Sequence, residues 1–153
     1  MSGNFLAVID GTFESKAAVR YAARRAEIAN TELVILVAID NQEQTHWLGV
    51  EKKIIEEAEN NAKLLVKHLK HNIRSFSKVK TSYEIRHGSK VNIVNDIITE
   101  NGDIAYLVIA SDSKGETPGE LVEAISKSGF SVPVVVIPGN INDKSIDKLI
   151  GIK

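Results

Sequence analysis

The residues best suited to hold a ligand gather where two apolar runs give way to polar turns. Phe5 to Ile9 runs into Asp10-Gly11-Thr12, and Ile104 to Ala110 runs into the loop Ser111 to Thr117, sequence SDSKGET. A helical segment follows that loop, then a second apolar run, Val132 to Ile137, bracketed by Pro133 and Pro138. Apolar runs joined through a helix make a βαβ unit, which connects parallel strands right-handedly. Ligands of open parallel sheets bind beyond the carboxyl ends of the strands, so both polar turns fall on the ligand edge. Asp10 at that edge reads either as a turn residue or as a ligand contact.

The chemistry of the second loop argues against a triphosphate. Thr117-Pro118-Gly119-Glu120 fits a capping box, with Thr117 at the N-cap, Pro118 at the first helical position and Glu120 at the third. Such a box uses the helix N-terminus on the protein's own side chains. Glu116 and Glu120 place negative charge where phosphates would sit, each costing such a ligand about 1 kcal/mol, and Lys114 offsets only part of this. The chain contains no GxGxxG, GxxxxGK[ST], GxSxG or HExxH. His68 and His71 lie three apart beside Lys67 and Lys70, which reads as a solvated face rather than a metal site. His87 follows Arg86 at a strand end and reads as solvent-facing, with a ligand contact as the alternative. Trp47, the only tryptophan, sits in a polar linker and reads as a lid or partner contact.

The elements that must position these residues follow from length and pattern. With 153 residues the chain is sized for one domain. Its net charge of -1, from 19 basic and 20 acidic residues, gives no global field toward nucleic acid or an anionic membrane. There is no cysteine, which removes disulfides, thiolate nucleophiles and Cys-ligated metals together. The first apolar segment is too short for a signal-peptide core, and no apolar run approaches a membrane span. A cytoplasmic protein is expected.

Along the chain, Asn4 to Ile9 and Glu32 to Ile39 are apolar throughout, as expected for strands buried on both faces. Between them, Glu14 to Asn30 is a helix with Ala18, Ala22, Ala26, Ala29 and Tyr21 on its buried stripe and Arg20, Arg24 and Arg25 away from it. Val50 to Ser75 is a long helix. Val79 to Arg86 alternates, which marks an edge strand. Lys90 to Glu100 is a helix closed by Asn101-Gly102. The order β-α-β-α-β-α-β-α-β, without hairpin signals, gives a three-layer α/β/α fold around a parallel sheet. A polar tail from Gly139 carries Ile146, Leu149, Ile150 and Ile152, expected to pack on the body or on a second subunit.

Over residues 4–138 the chain resembles the universal stress protein family. The resemblance rests on the strand ending in Asp10-Gly11-Thr12, the Ala-rich helix with Tyr21-Ala22, the strand Glu32 to Leu36, His87-Gly88, Gly102-Asp103, and the last strand Val132-Pro133-Val134-Val135-Val136. It implies a Rossmann-like sandwich of the adenine nucleotide alpha hydrolase-like type, a five-stranded sheet of order 3-2-1-4-5, and a homodimer paired through Val132, Val134, Val135, Val136 and Ile137. It also implies nucleotide contacts at Asp10, Gly11, Thr12, Val37 and Ala38 on the adenosine side. On the phosphate side it implies Ala110, Ser111, Ser113, Gly115, Gly119 and Glu120. There the sequence departs from the family's two-glycine motif: Ala110 and Ser113 hold the glycine positions, and Glu120 replaces the small hydroxyl residue. A phosphorelay receiver is excluded because Ile9 precedes Asp10 and no phosphoacceptor Asp ends the third strand.

The expected function is therefore a non-catalytic, homodimeric stress-response binding or signalling module that does not hold ATP in the family's usual way. The alternative is an ATP- or AMP-binding member with slow or no hydrolysis. No nucleophile, general base, metal site or nucleic-acid partner is expected.

Overall fold

The computed structural model describes residues 3–9, 13–39, 48–111, 120–127 and 129–151. Its elements are β1 (Asn4–Ile9), α1 (Phe13–Ala29), β2 (Leu33–Ile39), α2 (Leu48–Phe76), β3 (Thr81–His87), α3 (Lys90–Glu100), β4 (Ile104–Ala110), α4 (Glu120–Lys127), β5 (Val134–Ile137) and α5 (Asp143–Ile150). All four strand pairings are parallel, as the βαβ pattern predicts, and the sheet order is β3-β2-β1-β4-β5, as the family resemblance implies.

Alternation within the strands builds the layers. Phe5, Ala7, Ile9, Leu33, Ile35 and Val37 point to one face, where α1, α2 and α5 cover them. Leu6, Val8, Val34, Leu36 and Ala38 point to the other, against α3 and α4. Every residue of β1 is buried, so β1 has no polar face to offer. Ala18, Ala22 and Ala26 of α1 are wholly buried, and their small side chains let this helix lie close on the sheet. Ala17, Val19 and Ala23 widen the stripe, whereas Ala29 in the last turn is exposed. Phe5 stacks on Tyr106 of β4, ring centroids 4.7 Å apart.

The ends of the helices are chemically specified. Asn30 adopts φ 57° after α1, with Asn30 N–H donating to Glu27 O at 3.1 Å and Thr31 N–H to Ala26 O at 2.9 Å. This paired pattern is a Schellman closure, with asparagine in the left-handed position. α3 closes differently from expectation. Gly102 is not left-handed, and Asn101 N–H simply donates back to Ile97 O at 2.9 Å.

Two arginines away from the buried stripe meet other elements there. Arg20 grips Asp147 of α5 in a fork, Nε to Oδ1 at 3.0 Å and one terminal nitrogen to Oδ2 at 2.8 Å. Arg24 donates to Phe76 O at 2.9 Å and lies 3.5 Å from Asp147 Oδ1, too poorly aligned for a hydrogen bond from its buried Nε. Both guanidinium groups lie over the Phe76 ring, at 4.6 and 5.0 Å. One turn further, Glu27 accepts from Ser77 Oγ at 2.7 Å and from Lys78 N–H at 3.2 Å. The charged flank of α1 thus ties down both the end of α2 and the tail helix. Ile146 of α5 is completely buried in the core that this creates. Asn142 caps α5 by accepting from Ser145 N–H at 2.8 Å, and left-handed Gly151 ends it.

Hydrogen bonding from Arg20 holds the Asp147 carboxyl below its usual range. A depressed carboxylate pKa adds stability above the unfolded value and loses it as pH falls through the folded one. The thermal midpoint of the native chain should therefore drop more steeply as pH falls below about 4 than that of Asp147→Asn. At pH 7 the substitution should cost about 1 kcal/mol, since solvent partly screens the pair. Parallel slopes in melts across that range would show that the latch contributes nothing.

Candidate functional site

The parallel register brings the carboxyl ends of the strands to one rim. Ile9 is level with Val37, Ala38 with Arg86, Ile39 with His87, and Ala110 with Ile137. The chain runs outward from β1 to β2 and β3 on one side and takes β4 and β5 to the other. The strand order therefore reverses between β1 and β4, which is where an open sheet leaves a crevice.

On this rim, Val37 and Ala38 are buried, and Ala110 and Ser111 are half-buried beside the crevice. Asp10, Gly11, Thr12, Ser113, Gly115 and Gly119 lie outside the described residues. So do Lys114, Glu116, Thr117, Pro118 and Trp47, together with the side chain of Glu120, the first residue of described α4. Ser111 N–H donates to Ile137 O at 2.9 Å, and its hydroxyl lies 3.5 Å from the same oxygen. The first amide after β4 is thus engaged by β5.

Arg86 and His87 do not behave as solvent-facing strand ends. Arg86 Nε donates to Glu84 at 2.8 Å, and its terminal nitrogens donate to the two Glu100 oxygens at 3.2 and 2.6 Å. The guanidinium therefore turns onto the C-terminal turn of α3, where it holds the Glu100 carboxyl below its usual range. It borders a polar recess of about 450 Å³ that also takes in Ser82, Asn101 and Asp103, at the amino end of the sheet. His87 Nε2 lies 2.9 Å from Glu59 Oε1. His68 and His71 are exposed on the outside of α2. Among the described residues no group of three or more metal-ligating side chains comes together, and no helix is long and apolar enough to cross a membrane.

The Glu59 contact shows how far α2 reaches. The helix runs antiparallel to β3, with Lys70 over the Tyr83 ring at 5.0 Å and Glu59 at the strand's last residue. Residues 48–58 therefore continue past the rim for about 16 Å. Ile54, Ile55 and Ala58 on these turns are only partly covered. The clue in the sequence was length: 29 helical residues against a strand of 7. His87→Ala should raise amide exchange several-fold in residues 52–58 while residues 62–76 stay protected. Equal exchange in both variants would mean that the overhang stands without this contact.

Comparisons agree with this architecture. Residues 1–138 match the profile described as the universal stress protein family. Universal stress protein UspA from Lactobacillus plantarum superposes with a TM-score of 0.78 at 17% identity, covering 88% of this chain and 97% of that one. A universal stress protein in complex with cAMP gives 0.67 at 14% identity, covering 91% and 98%. An Arabidopsis thaliana member of the same family with AMP bound gives 0.56 at 13% identity, covering 94% of each chain. No curated protein matches the sequence.

Proposed function

This chain belongs to the universal stress protein family, and from that premise we propose that it acts as a non-catalytic, homodimeric stress-response binding module. Its ligand rim recognises the adenosine end of a nucleotide and does not clasp a triphosphate. The observation that carries this reading is the engagement of Ser111 N–H by Ile137 O at 2.9 Å. A phosphate-binding loop needs free amides, and this one is already used inside the sheet. The sequence adds Glu116 and Glu120 on the same side. The adenosine side keeps its requirements: a rim at Val37 and Ala38, with Asp10, Gly11 and Thr12 following β1 in sequence.

The alternative, an adenine-nucleotide-binding member with slow or no hydrolysis, draws support from the two similar proteins that hold AMP and cAMP. Both ligands carry a single phosphate, which suits a rim that lacks a triphosphate clasp. A cysteine-free sequence suits a cytoplasmic setting. Calorimetric titration with AMP and ATP in magnesium buffer separates the readings. AMP binding at least as tight as ATP is expected, whereas a clear preference for ATP would mean that the loop after β4 rearranges to hold phosphates.

The dimer is assigned to β5. This strand pairs with β4 on one side and, among the described residues, has no strand on the other. Val132, Val134 and Val135 are half-buried there, Ile137 is buried, and Val136 is 39% exposed. An uncharged open edge invites pairing, and a two-fold copy closes it. Val136→Lys should leave the melting profile intact and weaken self-association at least tenfold by sedimentation. An unchanged dimer would place the interface elsewhere.

A further inference from the structure

We propose that the outer face of α2, from Lys63 to Arg74, is a docking surface for the phosphate backbone of double-stranded nucleic acid. Lys63, Lys67, Lys70 and Arg74 recur at i, i+4, i+7 and i+11, which lines them along one flank of the helix over about 16 Å. All four are exposed, on the flank between the buried stripe of Ala62, Leu69 and Ile73 and the outermost side of the helix. Lys63 and Lys67 have no ion-pair partner among the described residues, and Lys70 rests only on the Tyr83 ring. The carboxylates of neighbouring elements are engaged further along: Glu27 with Ser77 and the Lys78 amide, and Glu32 with Lys80 at 3.1 Å.

The net charge of -1 hides this segregation. Residues 60–83 hold Lys63, Lys67, Lys70, Arg74, Lys78 and Lys80 and no acid, leaving thirteen basic residues against twenty acidic ones elsewhere. An unneutralised row of this kind fits a partner of high, regularly spaced negative charge, which releases counterions on contact. A membrane fits less well, because along residues 60–76 the apolar side of α2 is already packed on the sheet, leaving Leu64, 56% exposed, as the large apolar side chain that could insert from this stretch. A single strand fits less well too, since residues 60–75 include no Phe, Tyr or Trp, and the small rings of His68 and His71 are poor platforms for a run of stacked bases.

The test uses the full chain and its Lys63→Gln, Lys67→Gln, Lys70→Gln, Arg74→Gln variant. Glutamine keeps helix propensity, and a circular dichroism melt checks that the fold is intact. Fluorescence anisotropy with a labelled duplex of about 20 base pairs at about 50 mM salt should show binding, with affinity falling as salt rises; the variant should lose at least tenfold and flatten the log–log salt slope by about 0.9 per contact removed. No binding by the native chain overturns the proposal. So does a folded variant that binds equally well, or tighter binding to the single strand or to phosphatidylserine vesicles.

Discussion

A strand covered on both faces can show water nothing but its ends. β1 and the first six residues of β2 are buried without interruption, so the middle of the sheet has no room for a polar side chain. Chemistry is pushed to the rims, and the parallel direction makes all carboxyl ends share one rim. Burial alone thus confines polar chemistry to the two rims of the sheet, before any ligand is considered. The same constraint explains α1. A helix must lie flat on a fully apolar sheet, and its wholly buried alanines allow the close approach.

The apolar runs made the strands legible in the sequence. β1 and β4 begin and end where hydrophobicity does, and the alternation of β3 announced its place at the edge. Helix polarity was harder to read. Helical spacing set Arg20 and Arg24 away from the stripe on the sheet, and it says only which side leaves the sheet. It does not say whether another element waits there. That element is α5, whose signals were present in Asn142 before it and Gly151 after it. Arg86 and His87 were misjudged for a related reason. Their partners Glu100 and Glu59 stand 14 and 28 residues away on different helices, and only the fold brings them together. The turns after β1 and β4 carry their meaning in backbone geometry that residue types alone do not specify.

The charges are distributed with the same economy. Carboxylates and guanidinium groups on α1, β3, α3 and α5 neutralise one another across element boundaries, while Lys63 and Lys67 on the flank of α2 have no ion-pair partner among the described residues. A near-zero total therefore coexists with a strongly one-sided surface, and the two facts bear on different questions. The total governs solubility, and the local field governs what is attracted.

The latch between Arg20 and Asp147 joins positions 127 residues apart. On a ribosome adding some 5 to 20 residues per second, Arg20 waits roughly 6 to 25 seconds for its partner to be made. During that interval α1 can settle on the sheet, but the flank that grips α5 stays open. The latch can close only after Asp147 has been made, so it joins the earliest helix of the chain to one synthesised long after it.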